Sequence, residues 1–296
     1  MDRNQPLAVE DIKKRVIIAM FSDDDLMERL VLKGGNAIDV VYKIASRASR
    51  DIDLSLMDDF KPEELKLVRN KIEKSLRDAF QAVGYEVFDI NFAEKPKRLP
   101  NDKLPFWGGY HLEFKIIEVI KYKELMKNTK SLRKQATFVG PNRKQIFRVE
   151  ISKCEYCEPK EEIDLEGYTI FVYTPAMLVI EKLRAICQQM PEYRKSVKSH
   201  PASARARDFF DIYIIIEKFN IKLASKENIE LLKRIFAAKN VPLELIGRIG
   251  KYKEYHRPDF SSVRDTVKSG VKLKDFDFYF DYVVKKCKAL EPLWKV

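Results

Sequence analysis

The sequence predicts an α+β protein in which a mixed sheet flanked by helices precedes a helical C-terminal domain. Polar and apolar residues alternate with a period of two in several runs before Tyr173, as in half-buried strands. From Thr174 onward, apolar residues recur at helical spacing instead. The length of 296 residues, about twice that of a typical domain, also favours two domains. We place them at residues 1–173 and 174–296.

Composition and charge narrow the class of protein. With 45% hydrophobic and 34% charged residues, the chain is too apolar to be disordered. No apolar run approaches the roughly 18–20 residues of a membrane span, and the N-terminus is charged where a signal peptide is apolar, so we expect a cytoplasmic protein without a membrane partner. The net charge of +11 favours a polyanionic partner.

The first half is predicted to alternate between helices and strands. The periodicity predicts helices over 9–21, 23–30 and 62–83, and strands over 30–33, 51–56, 85–92, 110–117, 145–152 and 168–173. Gly34 and Gly35 form a turn between the first strand and a further helix that starts near Ala37.

The second half is predicted to be helical. Thr174 is placed to cap a helix that has Pro175 at its first position. Later helices are predicted over 204–219, 226–238 and 275–290. We therefore expect the sheet to end near Tyr173.

Two aspartates two residues apart suggest a metal site. In a strand, Asp51 and Asp53 project to one face while Ile52 and Leu54 face the core. Adjacent carboxylates repel each other unless a cation lies between them, and hard oxygen ligands select Mg²⁺ or Mn²⁺. Two solvated aspartates at a strand end are the plainer alternative, which this pattern alone favours.

The residues around these aspartates strengthen the interpretation of Asp51 and Asp53 as metal ligands. A glycine turn between a strand and a helix leaves backbone N–H groups accessible to phosphates, although Gly34 and Gly35 alone could be only a tight turn. Glu150, on a separate alternating strand, offers a third carboxylate, with an exposed sheet residue as the alternative. Together these residues predict one site for phosphate and metal.

The motifs resemble those of a known family. Lys33-Gly34-Gly35, then Ser49 to Leu54, then Thr174-Pro175 leading to Glu181-Lys182-Leu183, and finally Arg207 to Ile212 resemble successive motifs of the AbiEii/AbiGii nucleotidyltransferase toxins. That family belongs to the polymerase-beta-like nucleotidyltransferase superfamily. The resemblance implies a nucleotidyltransferase-like sheet and metal-dependent transfer of NMP from an NTP. It also implies a toxin of a toxin–antitoxin or phage-defence system, neutralised by a cognate antitoxin.

The resemblance also implies a role for each matching residue. It assigns catalysis to Asp51, Asp53, Lys182 and Asp208, metal binding to Asp51, Asp53 and Glu150, and nucleotide binding to Gly34, Gly35, Asn36, Lys182 and Asp211. Asn36 departs from the pattern, because many relatives carry Thr or Ser there, so an amide replaces a hydroxyl. The alternative for the helical motifs is a solvated lysine and a surface ion pair between Arg207 and Asp211.

The charge of one segment predicts which kind of molecule accepts the transferred nucleotide. The segment 115–153 contains 11 Lys or Arg against three Glu, a net charge of +8. A basic flank beside a metal site suits a phosphate backbone, and Tyr122, Phe138 and Phe147 offer stacking faces. We therefore expect an RNA acceptor, with a tRNA 3′ end as the sharpest version that the family suggests.

Other interpretations of the basic segment and of these motifs stay open. The lysines of the basic segment could be a solvated helix face. The acceptor could instead be a protein or a small molecule such as an aminoglycoside. The chain could also be a non-catalytic nucleotide- or nucleic-acid-binding module that keeps the fold without the reaction.

Overall fold

The computed structural model describes residues 7–44, 51–96, 104–139, 144–197, 202–268 and 270–294. Within them, seven strands form one mixed sheet in the order β3-β4-β5-β2-β1-β7-β6. The strands are β1 (Leu30–Lys33), β2 (Ile52–Leu56), β3 (Tyr85–Lys95), β4 (Gly109–Glu118), β5 (Phe147–Ser152), β6 (Lys160–Leu165) and β7 (Tyr168–Tyr173). This architecture confirms the predicted fold class.

Helices flank the sheet and make up the C-terminal region. They are α1 (Val9–Phe21), α2 (Asp24–Arg29), α3 (Gly34–Asn36, continued by a π-helical turn over Ala37–Val41), α4 (Leu65–Gln81), α5 (Val119–Leu125), α6 (Thr129–Lys134), α7 (Pro175–Cys187), α8 (Pro191–Ser196), α9 (Ala206–Phe219), α10 (Lys226–Ala237), α11 (Lys253–His256), α12 (Ser261–Arg264) and α13 (Phe276–Lys288). Short 3₁₀ segments lie at Leu243–Tyr252, Arg257–Phe260 and Glu291–Leu293. No helix in the described ranges is both long and apolar enough to cross a membrane.

The central strand β2 sets the geometry of the sheet. It pairs antiparallel with β1 and parallel with β5. Ile52 and Leu54 are fully buried, whereas Asp51 is exposed and Asp53 is partly exposed. The predicted division of β2 into an apolar face and an acidic face is therefore confirmed.

Several predicted elements coincide with observed ones, and others were missed. Helix α1 and strand β1 have the predicted bounds, and the Asp23 side chain caps α2 by accepting a hydrogen bond from Leu26 N. Strand β6 and helices α5 and α6 were not predicted. Strand β6 lies at the sheet edge and is mostly charged, so it lacks a clear apolar face. Helices α5 and α6 are too short, at seven and six residues, to establish a helical period.

The transition from sheet to helices falls where the sequence predicts it, because β7 ends at Tyr173 and α7 begins at Pro175. One cluster of buried apolar residues extends across both regions, including Leu32 on β1, Ile180 on α7 and Phe210 on α9. The helical region therefore packs directly against the sheet. The assignment of residues 1–173 and 174–296 to separate domains stays a prediction.

The N-terminus of α7 gives a test of local stability. Thr174 Oγ1 accepts a hydrogen bond from Met177 N at 3.2 Å. We expect Thr174→Ala to lower the free energy of unfolding by about 1 kcal/mol, whereas Thr174→Ser keeps the acceptor and most of the stability. Urea denaturation followed by circular dichroism measures both. Identical midpoints for the two variants would show that the cap contributes nothing.

Candidate active site

The sheet face at β1, β2 and β5 and the helices α7 and α9 enclose a cleft of ≈ 1340 Å³. Seven of the nine residues assigned from the sequence line it: Gly34, Gly35, Asp51, Asp53, Glu150, Lys182 and Asp208. Asn36 and Asp211 lie behind its wall, fully or almost fully buried. The structure thus brings residues from both regions of the chain to one place.

Asp53 lies between two charged neighbours in the sheet. Its cross-strand partners are Lys33 on β1 and Glu150 on β5. Burial raises the pKa of Asp53 to about 7; Lys33 opposes this shift, and the negative charges of Glu150, Glu181 and Asp51 add to it. A cation placed between these carboxylates would offset their repulsion and favour the ionised form of Asp53.

These carboxylates fit a metal ion whose coordination shell is completed by water and substrate phosphates. Among the described residues, no group of three His, Cys, Asp or Glu has the arrangement of a metal site. Mg²⁺, however, commonly binds one or two protein carboxylates together with water and substrate phosphates. Asp53 and its neighbour Glu150 fit that mode, with Asp51 two residues away. Assignment of the metal to all three carboxylates stays a prediction.

The glycine turn and the acidic strand are in close contact. Gly34 has a φ of +69°, and a Cβ at this position would overlap the Asp53 carboxylate. Only glycine combines this backbone angle with such a close approach. The turn therefore places the backbone of Gly34 directly against Asp53.

Asn36 supports the site from behind. Its side chain is fully buried, and its Nδ2 donates a hydrogen bond to the main-chain oxygen of Asp51 at 2.6 Å. Its Oδ1 is buried and has no hydrogen-bond partner among the residues that the structure describes. Asn36 thus holds the start of β2 against the glycine turn. Its assigned contact with nucleotide stays a prediction.

Lys182 is bound by two aspartates from the neighbouring helix. Its Nζ lies 3.0 Å from Asp208 Oδ1 and 2.7 Å from Asp211 Oδ2. Lys182 is 4% exposed and Asp211 2% exposed, which excludes a solvated lysine and a surface ion pair for this motif. Arg207 donates a hydrogen bond to Ser262 Oγ. The two helical motifs therefore form one buried ion cluster at the cleft wall.

A model of a known protein family matches most of the chain. The family described as "Nucleotidyl transferase AbiEii toxin, Type IV TA system" matches residues 15–282. The chain belongs to the AbiEii family. It is therefore a nucleotidyltransferase of a family of toxin–antitoxin toxins, as the motifs indicated.

The solved structures that match the chain include three proteins. A protein from H. pylori described as a candidate nucleotidyltransferase has 16% identity, a TM-score of 0.46 and coverage of 97% of both chains. JHP933 from Helicobacter pylori has 16% identity, a TM-score of 0.43 and coverage of 96% of this chain and 90% of its own. An antigenic nucleotidyltransferase-like protein from Paracoccidioides brasiliensis has 13% identity, a TM-score of 0.34 and coverage of 85% and 91%. No curated protein matches the chain significantly.

Sequence reasoning missed a second ion cluster in this AbiEii chain. Among the residues described, five buried or partly buried charged groups meet beneath the cleft: Lys33, Glu155, Glu181, Arg184 and Lys239. One available signal was the run of charges at Glu181, Lys182 and Arg184 within the otherwise apolar α7. Charges on a buried helix must find partners, so this run pointed to a network.

The basic residues of segment 115–153 differ in position and exposure. Lys115, Lys144 and Arg148 line the cleft. Lys153 is buried and forms ion pairs with Asp59 and Glu94, so it does not present its charge to an acceptor. Arg143, together with Ser49 and Arg50 of the acidic motif, lies outside the described residues.

The three aromatic residues predicted as stacking faces also differ in position. Phe147 is buried and stacks on Phe114 at 5.5 Å between ring centroids. Tyr122 packs against Phe88 in a small separate cluster. Phe138 is 51% exposed. Of the three, Phe138 is therefore the one whose ring is widely accessible.

Two glycines with similar backbone angles give a matched test of the turn. Gly34→Ala must strain the backbone and displace the Asp53 carboxylate, whereas Gly84, with a φ of +82°, has open space around the added Cβ. We expect Gly84→Ala to lose about 1–2 kcal/mol of unfolding free energy from the angle alone. Gly34→Ala should lose clearly more in urea denaturation, and equal losses would contradict close contact between the turn and Asp53.

Proposed function

We propose that this AbiEii protein transfers NMP from an NTP to an RNA acceptor, using Mg²⁺ or Mn²⁺, and acts as a toxin that a cognate antitoxin neutralises. The observation that carries the proposal is the register of Asp53 and Glu150 beside the glycine turn, with Lys182 on the same cleft. Such a cleft can hold a triphosphate between a backbone turn, carboxylates that fit a metal, and a lysine. Family membership supports the toxin role, and the proposal includes a cytoplasmic location and a part in phage defence.

In the proposed reaction, the acceptor hydroxyl oxygen forms a bond to the α-phosphorus of the NTP. The bond between the α-phosphorus and the oxygen bridging to the β-phosphate breaks, pyrophosphate leaves, and the hydroxyl proton passes to solvent. Mg²⁺ at Asp51, Asp53 and Glu150 would neutralise phosphate charge and lower the pKa of the acceptor hydroxyl. The glycine turn would orient the triphosphate, because glycines have no side chain that could keep phosphate oxygens from their backbone N–H groups.

Lys182 is suited to bind phosphate because it is already held in place. A free lysine loses roughly 1.5–2 kcal/mol of side-chain entropy when it is ordered. In this protein the ion pairs with Asp208 and Asp211 impose that order before any substrate arrives. We propose that Asp208 acts chiefly by orienting Lys182, with Asp211 in the same role from one turn later on α9.

The charge of the cleft favours a nucleic acid as acceptor. Lys115, Lys144 and Arg148 line the side of the cleft that borders β5. Arg205, at 39% side-chain exposure, lies on the wall formed by the start of α9. Cations on both sides of a metal site suit a polyanion that crosses it. We therefore favour RNA over a protein or a small neutral acceptor, with a tRNA 3′ end as the first candidate.

Labelling in extract tests the reaction. Protein, Mg²⁺ and each α-³²P-labelled NTP in turn are incubated with cell extract, and labelled products are counted. We expect Asp51→Ala or Asp53→Ala to abolish incorporation, because phosphate charge is no longer neutralised. Asp58→Ala, which alters an exposed aspartate just beyond β2, should not change it. Undiminished labelling by Asp53→Ala would refute the metal mechanism.

Digestion of the labelled product identifies the acceptor in the same experiment. Sensitivity to ribonuclease alone supports RNA, whereas sensitivity to protease alone excludes it. Label that resists both enzymes and passes a small-pore filter indicates a small-molecule acceptor. The absence of incorporation from all four NTPs by the unaltered protein would refute nucleotidyl transfer to any acceptor in the extract.

Salt dependence tests the basic wall of the cleft. Each phosphate contact contributes about one unit to the slope of log K against log salt. We therefore expect Lys144→Gln to lower the slope for bulk tRNA by about one. Lys121→Gln, on exposed α5 and away from the cleft lining, is the matched control and should leave the slope unchanged. Equal slopes for both variants would remove Lys144 from the RNA path.

A further inference from the structure

Glu155 is the centre of the buried ion cluster beneath the cleft. Its Oε1 accepts a hydrogen bond from Lys33 Nζ at 3.2 Å, and its Oε2 lies 3.0 Å from Arg184 Nη2. Lys239 Nζ is 3.7 Å from Oε1 and also donates a hydrogen bond to the Phe106 carbonyl. Glu155 is almost completely buried. One carboxylate thus joins three cations from distant parts of the sequence.

Each contact of Glu155 leads to a different part of the site. Its backbone N donates to the Leu56 carbonyl at 3.0 Å, which anchors it to the end of β2, the strand of Asp53. Lys33 directly precedes Gly34 and is the cross-strand partner of Asp53. Arg184 lies on α7, two residues after Lys182. Glu155 therefore connects the acidic strand, the glycine turn and the helix that carries Lys182.

A second carboxylate completes the connection. Glu181 Oε1 lies 3.3 Å from Arg184 Nη2 and 3.9 Å from Lys33 Nζ, and Glu181 also lines the cleft. On α7, Glu181 therefore faces this cluster while the adjacent Lys182 faces Asp208 and Asp211. The direction of Lys182 is fixed from both sides of its own helix.

The energetics of buried charges argue against a purely stabilising role. Within the described part of the chain, the cluster holds three cations against two carboxylates. The three cations lower the pKa of Glu155 despite its burial, so it stays ionised. Desolvation commonly cancels the attraction in such networks, and apolar packing would stabilise the fold as well or better. What the cluster provides in addition is a fixed geometry.

We propose that Glu155 is a positioning residue that fixes the distance between the glycine turn and Lys182 by holding Lys33 and Arg184 in one buried ion network. Both ends of that distance contact the triphosphate in the proposed function, on which this inference rests. Loss of the Glu155 charge leaves Lys33 and Arg184 with Glu181 as the one carboxylate of this cluster that they share, at 3.9 Å and 3.3 Å. The glycine turn and α7 then move apart, and triphosphate binding weakens.

Calorimetric titration with inorganic tripolyphosphate and Mg²⁺ measures this effect, because tripolyphosphate is the part shared by all NTPs. We expect Glu155→Gln to raise its Kd by about 10- to 100-fold, the range typical of a misplaced site. Leu76→Ala, in the apolar contact between α4 and its neighbours, is the control for lost stability. It should lower Tm comparably and leave the Kd within about twofold of the unaltered protein.

A double-mutant cycle separates positioning from general damage. If Glu155 acts through Lys33, the Kd of Lys33→Met with Glu155→Gln should equal that of Lys33→Met alone. Multiplicative effects of the two changes would overturn the inference. If Glu155→Gln does not fold, Lys33→Met still removes one link while Arg184, Glu155 and Lys239 stay paired. An unchanged Kd in Lys33→Met would then overturn it as well.

The outcomes distinguish this inference from the proposed function. If the unaltered protein does not bind tripolyphosphate, the phosphate site itself is refuted and the inference fails with it. If the unaltered protein binds and Glu155→Gln binds equally well, the inference alone is refuted. A raised NTP KM for Glu155→Gln at nearly unchanged kcat supports positioning, whereas a fall in kcat alone overturns it.

Discussion

The register of β2 against its two neighbours is the constraint on which the site depends. Because side chains alternate between faces, a slip of one residue would turn Asp53 into the core and expose Ile52. The complete burial of Ile52 and Leu54 makes that slip unfavourable. The same register places Lys33 on one side of Asp53 and Glu150 on the other. Apolar packing on one face of β2 thus determines the electrostatics on its other face.

The second requirement is the position of α7 against the sheet. This helix is buried on most sides, so Lys182 and Arg184 are almost completely removed from bulk water. Each is therefore paired: Lys182 with two aspartates of α9, and Arg184 with Glu155 and Glu181. Pairing of buried charges adds directional contacts to the apolar packing of this interface. The helical region is oriented by these ion pairs and held by the shared core.

Features that depend on residues close in sequence could be predicted, whereas contacts between residues far apart in sequence could not. The face of Asp51 and Asp53 and the cap at Thr174 depend on residues a few positions apart, so their spacing was sufficient. The role of Glu155 could not be predicted, because it lies in an irregular segment between β5 and β6 and its partner Lys33 is 122 positions away. Asn36 looked like a substitute for a phosphate-binding hydroxyl, but its buried bond to the Asp51 backbone became visible only in the fold. Charge counts showed how many lysines there are but not where they face.

The positions of the lysines, and not only their number, determine how the basic segment would act on the proposed RNA acceptor. Charges farther apart than about 8 Å are largely screened at physiological salt. Lys144, exposed on the cleft lining, can therefore contact a bound polyanion directly. The exposed lysines of α5 and α6 lie outside that lining, so in the proposed function they would raise the local concentration of a polyanion without holding it in place. Arg148 also lines the cleft, but its charge is partly offset by Glu113, which accepts a hydrogen bond from it at 2.8 Å. In the proposed function, encounter and positioning of an RNA thus depend on different residues of the same basic segment.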